Sequence, residues 1–379
     1  MKIRTITLGF NLPYPLKEME LENWASFLHA AKAVFERNGY EVQTLRMTTQ
    51  PLEEYYRSKS QILEIAEALE IFAKSWEIDY FSMGTVKQPE NVGLIYEILK
   101  NTRRGFCTTT ACTQNQIVPD IALATAKLIK KLAGLEKEGF GNLRFACLFN
   151  PKPDTPFYPA SYHSGRPSFG IGCENSDIVY AAFSQARDLG TAGRILMQNL
   201  EGEFRTIEQI CEEISAKTGI KFEGIDVSVA PGVERNQSIA YAFEKLGIGK
   251  FGEPGTLAAA KIVTDVLDAL KVRKCGYSGL MLPMLEDTGL AKRNAEGRYN
   301  LTNLLLYSAV CGTGLDTIPL PGNVSTRKIY HLLLDIGSLA AKLNKFLSAR
   351  LMPIPGRNVG SKTNFRFEYF ANTKIPPLG

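Results

Sequence analysis

Hydrophobic and polar positions along this chain switch repeatedly between a period of two and a period near 3.6, the signatures of strand and helix. Lys2 to Phe10 alternates and is rich in β-branched residues, which predicts a first strand. Pro13 and Pro15 break it, Leu16 to Arg37 places apolar residues at helical spacing, and Asn38-Gly39 stops that helix. The same reading predicts further strands at 40–47, 80–83, 105–110, 145–150, 169–173, 222–229, 279–284, 315–320 and 349–354. Helices are predicted at 58–74, 91–100, 119–132, 178–199, 206–218, 238–246, 256–271, 300–310 and 325–347. About ten strands alternating with helices argue for a parallel α/β architecture. No repeat of intermediate period is present, which excludes a solenoid. One proline-rich stretch, NPKPDTPFYPASYHSGRP (150–167), crosses between two strands with neither pattern.

Composition narrows the class. The 379 residues are 45% hydrophobic and 22% charged, ordinary for a globular protein with a large core. A single α/β unit over 1–379 is expected, with 132–141 the weakest place to divide it. The net charge of +5 is dispersed, and basic spots such as Lys127, Lys130 and Lys131 fall on a predicted helix, where a solvated face explains them. That leaves no clustered nucleic-acid footprint. The opening MKIRTITLGFNLPYP has no apolar core of a signal peptide, and no apolar run reaches membrane-spanning length. Seven cysteines (107, 112, 147, 173, 211, 275 and 311) fit reduced thiols and a cytoplasmic location better than a disulfide framework. Cys107 and Cys112 have no second close pair, which argues against zinc.

Several uncommon segments occur in a fixed order: PFYPASYH (156–163), GTLAAAKIVTDVL (255–267), SGLMLPMLEDTGL (278–290), AVCGTGLDTIPLPGNVS (309–325) and ARLMPIPGRNVG (349–360). In these the chain resembles the uncharacterised DUF711 family, also called UPF0210, over nearly its whole length. The resemblance implies a fold like pyruvate formate-lyase, a closed barrel of about ten strands with surrounding helices. It brings no established reaction. Relatives by fold use a glycyl radical, which needs a barrel cysteine and a glycine in an Arg-Val-X-Gly-aromatic loop. Cys311 could be the first, but Arg357-Asn358-Val359-Gly360-Ser361 lacks the aromatic residue. The expectation is therefore the barrel without the radical, since function is argued from the site.

The candidate chemistry lies at predicted element ends. His163 sits beside Tyr158 and Tyr162 in the long crossing and is the leading candidate for proton transfer, against a plain structural role. Glu174, Asp226, Glu286, Asp287 and Asp316 lie in or next to strands. In a closed parallel barrel such ends converge on one face. Asp226 and Glu286 are then candidates for acid/base work. Glu174 and Asp287 are candidates to ligate Mg²⁺, Mn²⁺ or Ca²⁺. The competing reading makes each a helix cap or the partner of a basic group. Cys311 is a candidate nucleophile or, equally, a small buried residue. Asn150, Tyr162, Asp316, Arg327 and Arg350 are candidate ligand contacts. Helix starts at GEPGT (252–256) and PGNVST (321–326) could cap themselves or meet an anion, but no nucleotide motif accompanies them.

Three classes of function follow. The first is an enzyme acting on a small polar or anionic metabolite in the barrel mouth, by acid/base or metal-assisted chemistry. The second is a non-catalytic ligand-binding or regulatory barrel. The third is a scaffold, which leaves room for a homo-oligomer. An enzyme predicts a deep pocket in which His163 meets at least two of Glu174, Asp226, Glu286 and Asp287.

Overall fold

The computed structural model describes residues 1–378. Ten strands form one sheet: β1 (Lys2–Gly9), β2 (Leu45–Thr48), β3 (Tyr80–Val86), β4 (Gly105–Thr113), β5 (Gln116–Ile117), β6 (Phe145–Phe149), β7 (Ser168–Glu174), β8 (Lys221–Asp226), β9 (Gly314–Pro321) and β10 (Leu347–Ile354). Their order is β8-β7-β1-β2-β3-β4-β6-β10-β9, with β5 folded back on β4. Strands β1, β2, β3, β4 and β6 run parallel to one another. The pairs β7–β8 and β9–β10 are each parallel within themselves but antiparallel to this central block, through β1/β7 and β6/β10.

Parallel neighbours cannot be joined by a tight turn, so helices carry the crossovers. Helices Glu18–Arg37, Lys59–Ser75, Val92–Asn101 and Pro119–Leu132 connect the central strands in turn, and Thr326–Leu343 returns β9 to β10. The two faces of the sheet separate by the strand period of two. On β6, Phe145, Cys147 and Phe149 join the main core under the helices, while Ala146 and Leu148 turn the other way and meet Ala160 and Phe346. No described helix is long and apolar enough to cross a membrane.

The inner face is occupied by the 150–167 crossing. Thr155, Ser161 and His163 are fully buried in it. Thr7 Oγ1 donates to Pro156 O at 2.9 Å, Ser82 Oγ to Ser161 O at 2.8 Å, and His163 N to Thr49 O at 2.8 Å. An irregular segment is tolerated inside a protein only when its polar groups are satisfied this way. Two glycines make room. A Cβ on Gly172 would stand 3.0 Å from the Phe157 ring, and one on Gly9 would stand 2.5 Å from His163 Nδ1.

The expected strand 279–284 is instead an irregular segment with one isolated bridge, Leu280 to Val229. Pro283 lacks an N–H, and Ser278, which leads into the segment, has φ 48°; both interrupt a regular ladder. The segment still bonds to both ends of the strand path. Cys275 N donates to Ile225 O at 3.1 Å and Met281 N to Val229 O at 3.0 Å, beside β8, while Met284 N donates to Asp316 O of β9 at 3.1 Å.

Other boundaries also move. The predicted helix 178–199 breaks at Ala186, and Asp188 caps a new helix, Leu189–Thr218, by accepting from Thr191 N. That helix continues through 200–205 because Leu196, Leu200, Phe204 and Ile207 keep one face buried. Strand 40–47 shrinks to Leu45–Thr48, and helix 325–347 stops at Asn344, in the left-handed region at φ 50°. A short helix, Thr288–Ala295, escapes the periodicity reading altogether.

Candidate functional site

A cavity of about 160 Å³ lies on the inner face, between the tip of the 150–167 crossing and a C-terminal aromatic segment. Phe106, Phe157, Tyr158 and Met281 supply apolar surface, and Phe367 with half-exposed Tyr369 stands at its rim. Against this lining stand three arginines and two carboxylates: Arg4, Arg46, Arg350, Glu286 and Asp316.

Each arginine has a different status. Arg4 Nη1 pairs with Glu174 at 2.9 Å and its guanidinium lies over the Tyr369 ring. Arg350 is doubly paired: Nε and Nη2 clamp Asp316 at 2.6 and 3.0 Å, and Nη2 also donates to Glu286 Oε1 at 2.6 Å. Burial opposes the Arg350 charge, but Asp316 and Glu286 outweigh it and hold the guanidinium protonated. Arg46 has no such ion pair. Its Nε donates to Thr44 Oγ1 at 3.0 Å, and the guanidinium lies 5.0 Å from the Tyr158 ring centre and 5.6 Å from that of Tyr80. Among the described residues no carboxylate pairs with it, although only 7% of the residue is exposed. Burial first, and the charge on Arg4 second, pull its pKa down to about 10. A buried guanidinium with donors to spare, held between aromatic faces, is arranged to receive an anion.

Glu286 provides the titratable group. Burial pushes its carboxyl above the usual carboxylate range, Arg350 pulls it back, and neighbouring Asp316 pushes it up again. Its Oε2 has no hydrogen-bond partner among the described residues, while Oε1 is taken by Arg350. One oxygen is thus anchored and the other is left for a ligand or proton, the arrangement a general acid or base requires. Tyr158 and Tyr277 are held protonated by burial.

Of the residues singled out in the sequence, Glu286, Asp316 and Arg350 come together here. Glu174 stands behind the wall, accepting from Arg4, Gln43 and Gln237. His163 lies outside the cavity lining, with Nδ1 2.5 Å from Asp154 Oδ1 and Nε2 3.1 Å from Gly165 O; it meets none of the five carboxylates, so the His163-centred pocket expected of an enzyme does not form, and any proton chemistry falls to the cavity's own carboxylates. Asp226 is buried at the end of β8, where it accepts from Ser228 and from the Tyr277 and Ser278 amides and so stitches the 274–285 segment to the sheet. Asp287 caps helix Thr288–Ala295 and also accepts from Ser238 Oγ and Ile239 N. Burial raises it to about 6.

Cys311 ends helix Leu301–Val310, and burial lifts its thiol to about 12, with Lys345 only partly opposing. Asn150 ties the β4–β5 turn to Ala340 O, Tyr162 OH donates to Pro151 O, and Arg327 lies exposed in the first turn of helix Thr326–Leu343. Among the described residues no three His, Cys, Asp or Glu side chains gather as metal ligands. Arg4, Arg46, Tyr80, Tyr277 and Tyr369 escape the sequence reading. The signal for Arg46 was available: an arginine between Leu45 and Met47, on a face shared with Thr44 and Thr48, is a buried charge wherever both sheet faces are covered.

Fold and site define an α/β protein whose ten-strand, mostly parallel sheet carries a cavity of mixed charge on the face away from the crossover helices. The chain belongs to the family described as "Uncharacterised ACR (DUF711)", which matches residues 1–368. It is similar to a UPF0210 protein of Thermoanaerobacter sp. (26% identical, covering 96% of this chain and 88% of that one). It is likewise similar to UPF0210 proteins of Pyrobaculum aerophilum (29%, covering 87% and 78%) and Methanosarcina barkeri (26%, covering 100% and 90%).

Proposed function

We propose that this protein is an enzyme that holds a small anionic metabolite in the cavity through Arg46 and moves a proton through Glu286, with Asp316 and Arg350 tuning that carboxyl. The carrying observation is the buried, carboxylate-free guanidinium of Arg46 facing the cavity. Glu286 adds the second element, a raised carboxyl with one oxygen free. In this reading the sheet closes, through the 274–285 segment, into a single ten-strand barrel like that of pyruvate formate-lyase. Its support is the hydrogen bonding of that segment to β8 on one side and β9 on the other. One core cluster running from Ile3 to Leu351 supports a single domain. Seven unpaired cysteines support a reducing, cytoplasmic setting.

The test is a thermal-shift screen with small carboxylates and phosphates on the wild type and on Arg46→Met. Stabilisation by at least one anion class, lost in the variant, is the expected result. A full response in Arg46→Met, or none in the wild type, refutes the reading.

A further inference from the structure

The charges around the cavity are unevenly paired. Arg4 and Glu174 cancel. On the β9–β10 side two carboxylates, Glu286 and Asp316, share the single guanidinium of Arg350, which leaves an unmatched carboxylate oxygen, Glu286 Oε2. On the β2 side Arg46 is an unmatched cation. With the 274–285 segment taken as the strand that joins β8 to β9, these two poles face each other. Between β2 and β9 stand β3, β4, β6 and β10 in one direction, and β1, β7, β8 and the joining segment in the other. The same cavity offers apolar surface from Phe106, Phe157, Tyr158 and Met281.

We infer that the cavity takes a dipolar ligand, an amino-acid-like zwitterion whose carboxylate meets Arg46 and whose protonated amine meets Glu286 and Asp316 across an apolar spacer. A ligand that was only an anion would satisfy one pole and leave Glu286 Oε2 without a partner; a ligand that was only an amine would leave Arg46 unpaired. The apolar surface of the cavity suits methylene groups or a small ring. The inference rests on the reading of Arg46 as the anion contact and adds what the far end of the ligand must be.

Isothermal titration calorimetry on the full chain tests it with alanine, γ-aminobutyrate, δ-aminovalerate and ε-aminocaproate. Each is compared with the carboxylate that lacks the amine and the amine that lacks the carboxylate. At least one zwitterion should bind roughly tenfold or more tighter than both of its parents, the size of one charge-assisted hydrogen bond. Glu286→Gln should bring that zwitterion down to the affinity of its parent carboxylate, and Arg46→Met should remove both. The wild-type comparison decides the matter even where Glu286→Gln fails to fold. If carboxylates bind as tightly as every zwitterion while Arg46→Met still abolishes them, the dipolar ligand is wrong and the anion site stands. If no carboxylate binds and Arg46→Met changes nothing, both fall.

Discussion

In an Arg46→Met variant the guanidinium leaves and a thioether of similar length takes its place beside Tyr80 and Tyr158. The energetic consequence can be worked from the environment of the charge. Burial, with Arg4 nearby, pulls the guanidinium from its ordinary value down to about 10. That shift corresponds to about 3 kcal/mol against the charged form in the folded chain. Both values lie above neutral pH, so folded and unfolded chains each carry the proton at pH 7. The penalty is therefore fully present there and is relieved only as pH rises through about 10 toward the ordinary guanidinium value.

Set against it are the contacts that methionine cannot reproduce. Two aromatic faces contribute about 0.5–1 kcal/mol each and the bond to Thr44 about 1 kcal/mol. The balance is a variant as stable as the wild type or more stable by up to roughly 1 kcal/mol in the absence of ligand, since losing a charge the fold holds at a cost removes that cost. For a chain of 379 residues this moves the melting temperature by only about 1 °C. Urea unfolding at neutral pH in a buffer free of carboxylates and phosphate is the better assay. Equal or greater stability together with loss of anion binding is expected. A variant destabilised by more than about 2 kcal/mol that keeps the anion response would refute the reasoning, because Arg46 would then be a structural strut.

Three further outcomes are expected. His163→Ala strands the buried Asp154 carboxylate, so it should lose roughly 3 kcal/mol or more in urea unfolding; a loss below about 0.5 kcal/mol would show that the pair does not hold the crossing in place. Asp287, raised from 3.8 to about 6 by burial, takes up a proton that the unfolded chain sheds. Its contribution to stability should therefore fall by on the order of 3 kcal/mol as pH rises from 3.8 through about 6, and the stability-versus-pH curve of Asp287→Asn should lack that slope. Cys311, 3% exposed and pushed up to about 12, should resist Ellman's reagent at pH 8 until the chain is unfolded; stoichiometric labelling of Cys311 in the native protein, read by peptide mapping, would contradict its burial.

Periodicity reveals most of the strands and crossover helices because almost every strand is buried on both faces and bounded by proline, glycine or a cap, as at Asn38-Gly39 and Pro119. It fails where tertiary bonding replaces local pattern. The 274–285 segment is held in place because residues at β8 and β9 both bond to it, not because its own residues form a ladder. Helix Thr288–Ala295 has too little amphipathic face to announce itself and depends on the Asp287 cap. The site divides along the same line. Glu286, Asp316 and Arg350 are visible as charged residues at strand ends. His163 draws attention because histidine is rare in this chain, but its neighbours are Asp154 and Gly165. Arg46 is concealed by a strand only four residues long, in which a single charge passes for a solvent-facing position.

The crossing at 150–167 also has a consequence for how this chain tolerates change in length. A proline-rich stretch without helix or strand is ordinarily where insertions and deletions accumulate, since surface loops can lengthen at little cost. Here the stretch is wedged against the inner face, with Thr155, Ser161 and His163 fully buried and its carbonyls claimed by Thr7 and Ser82. An added residue between Pro156 and His163 has no water to bulge into and would displace the tip that bounds the cavity. Among homologous chains this segment should keep its length, while the helix-to-strand turns on the outside vary.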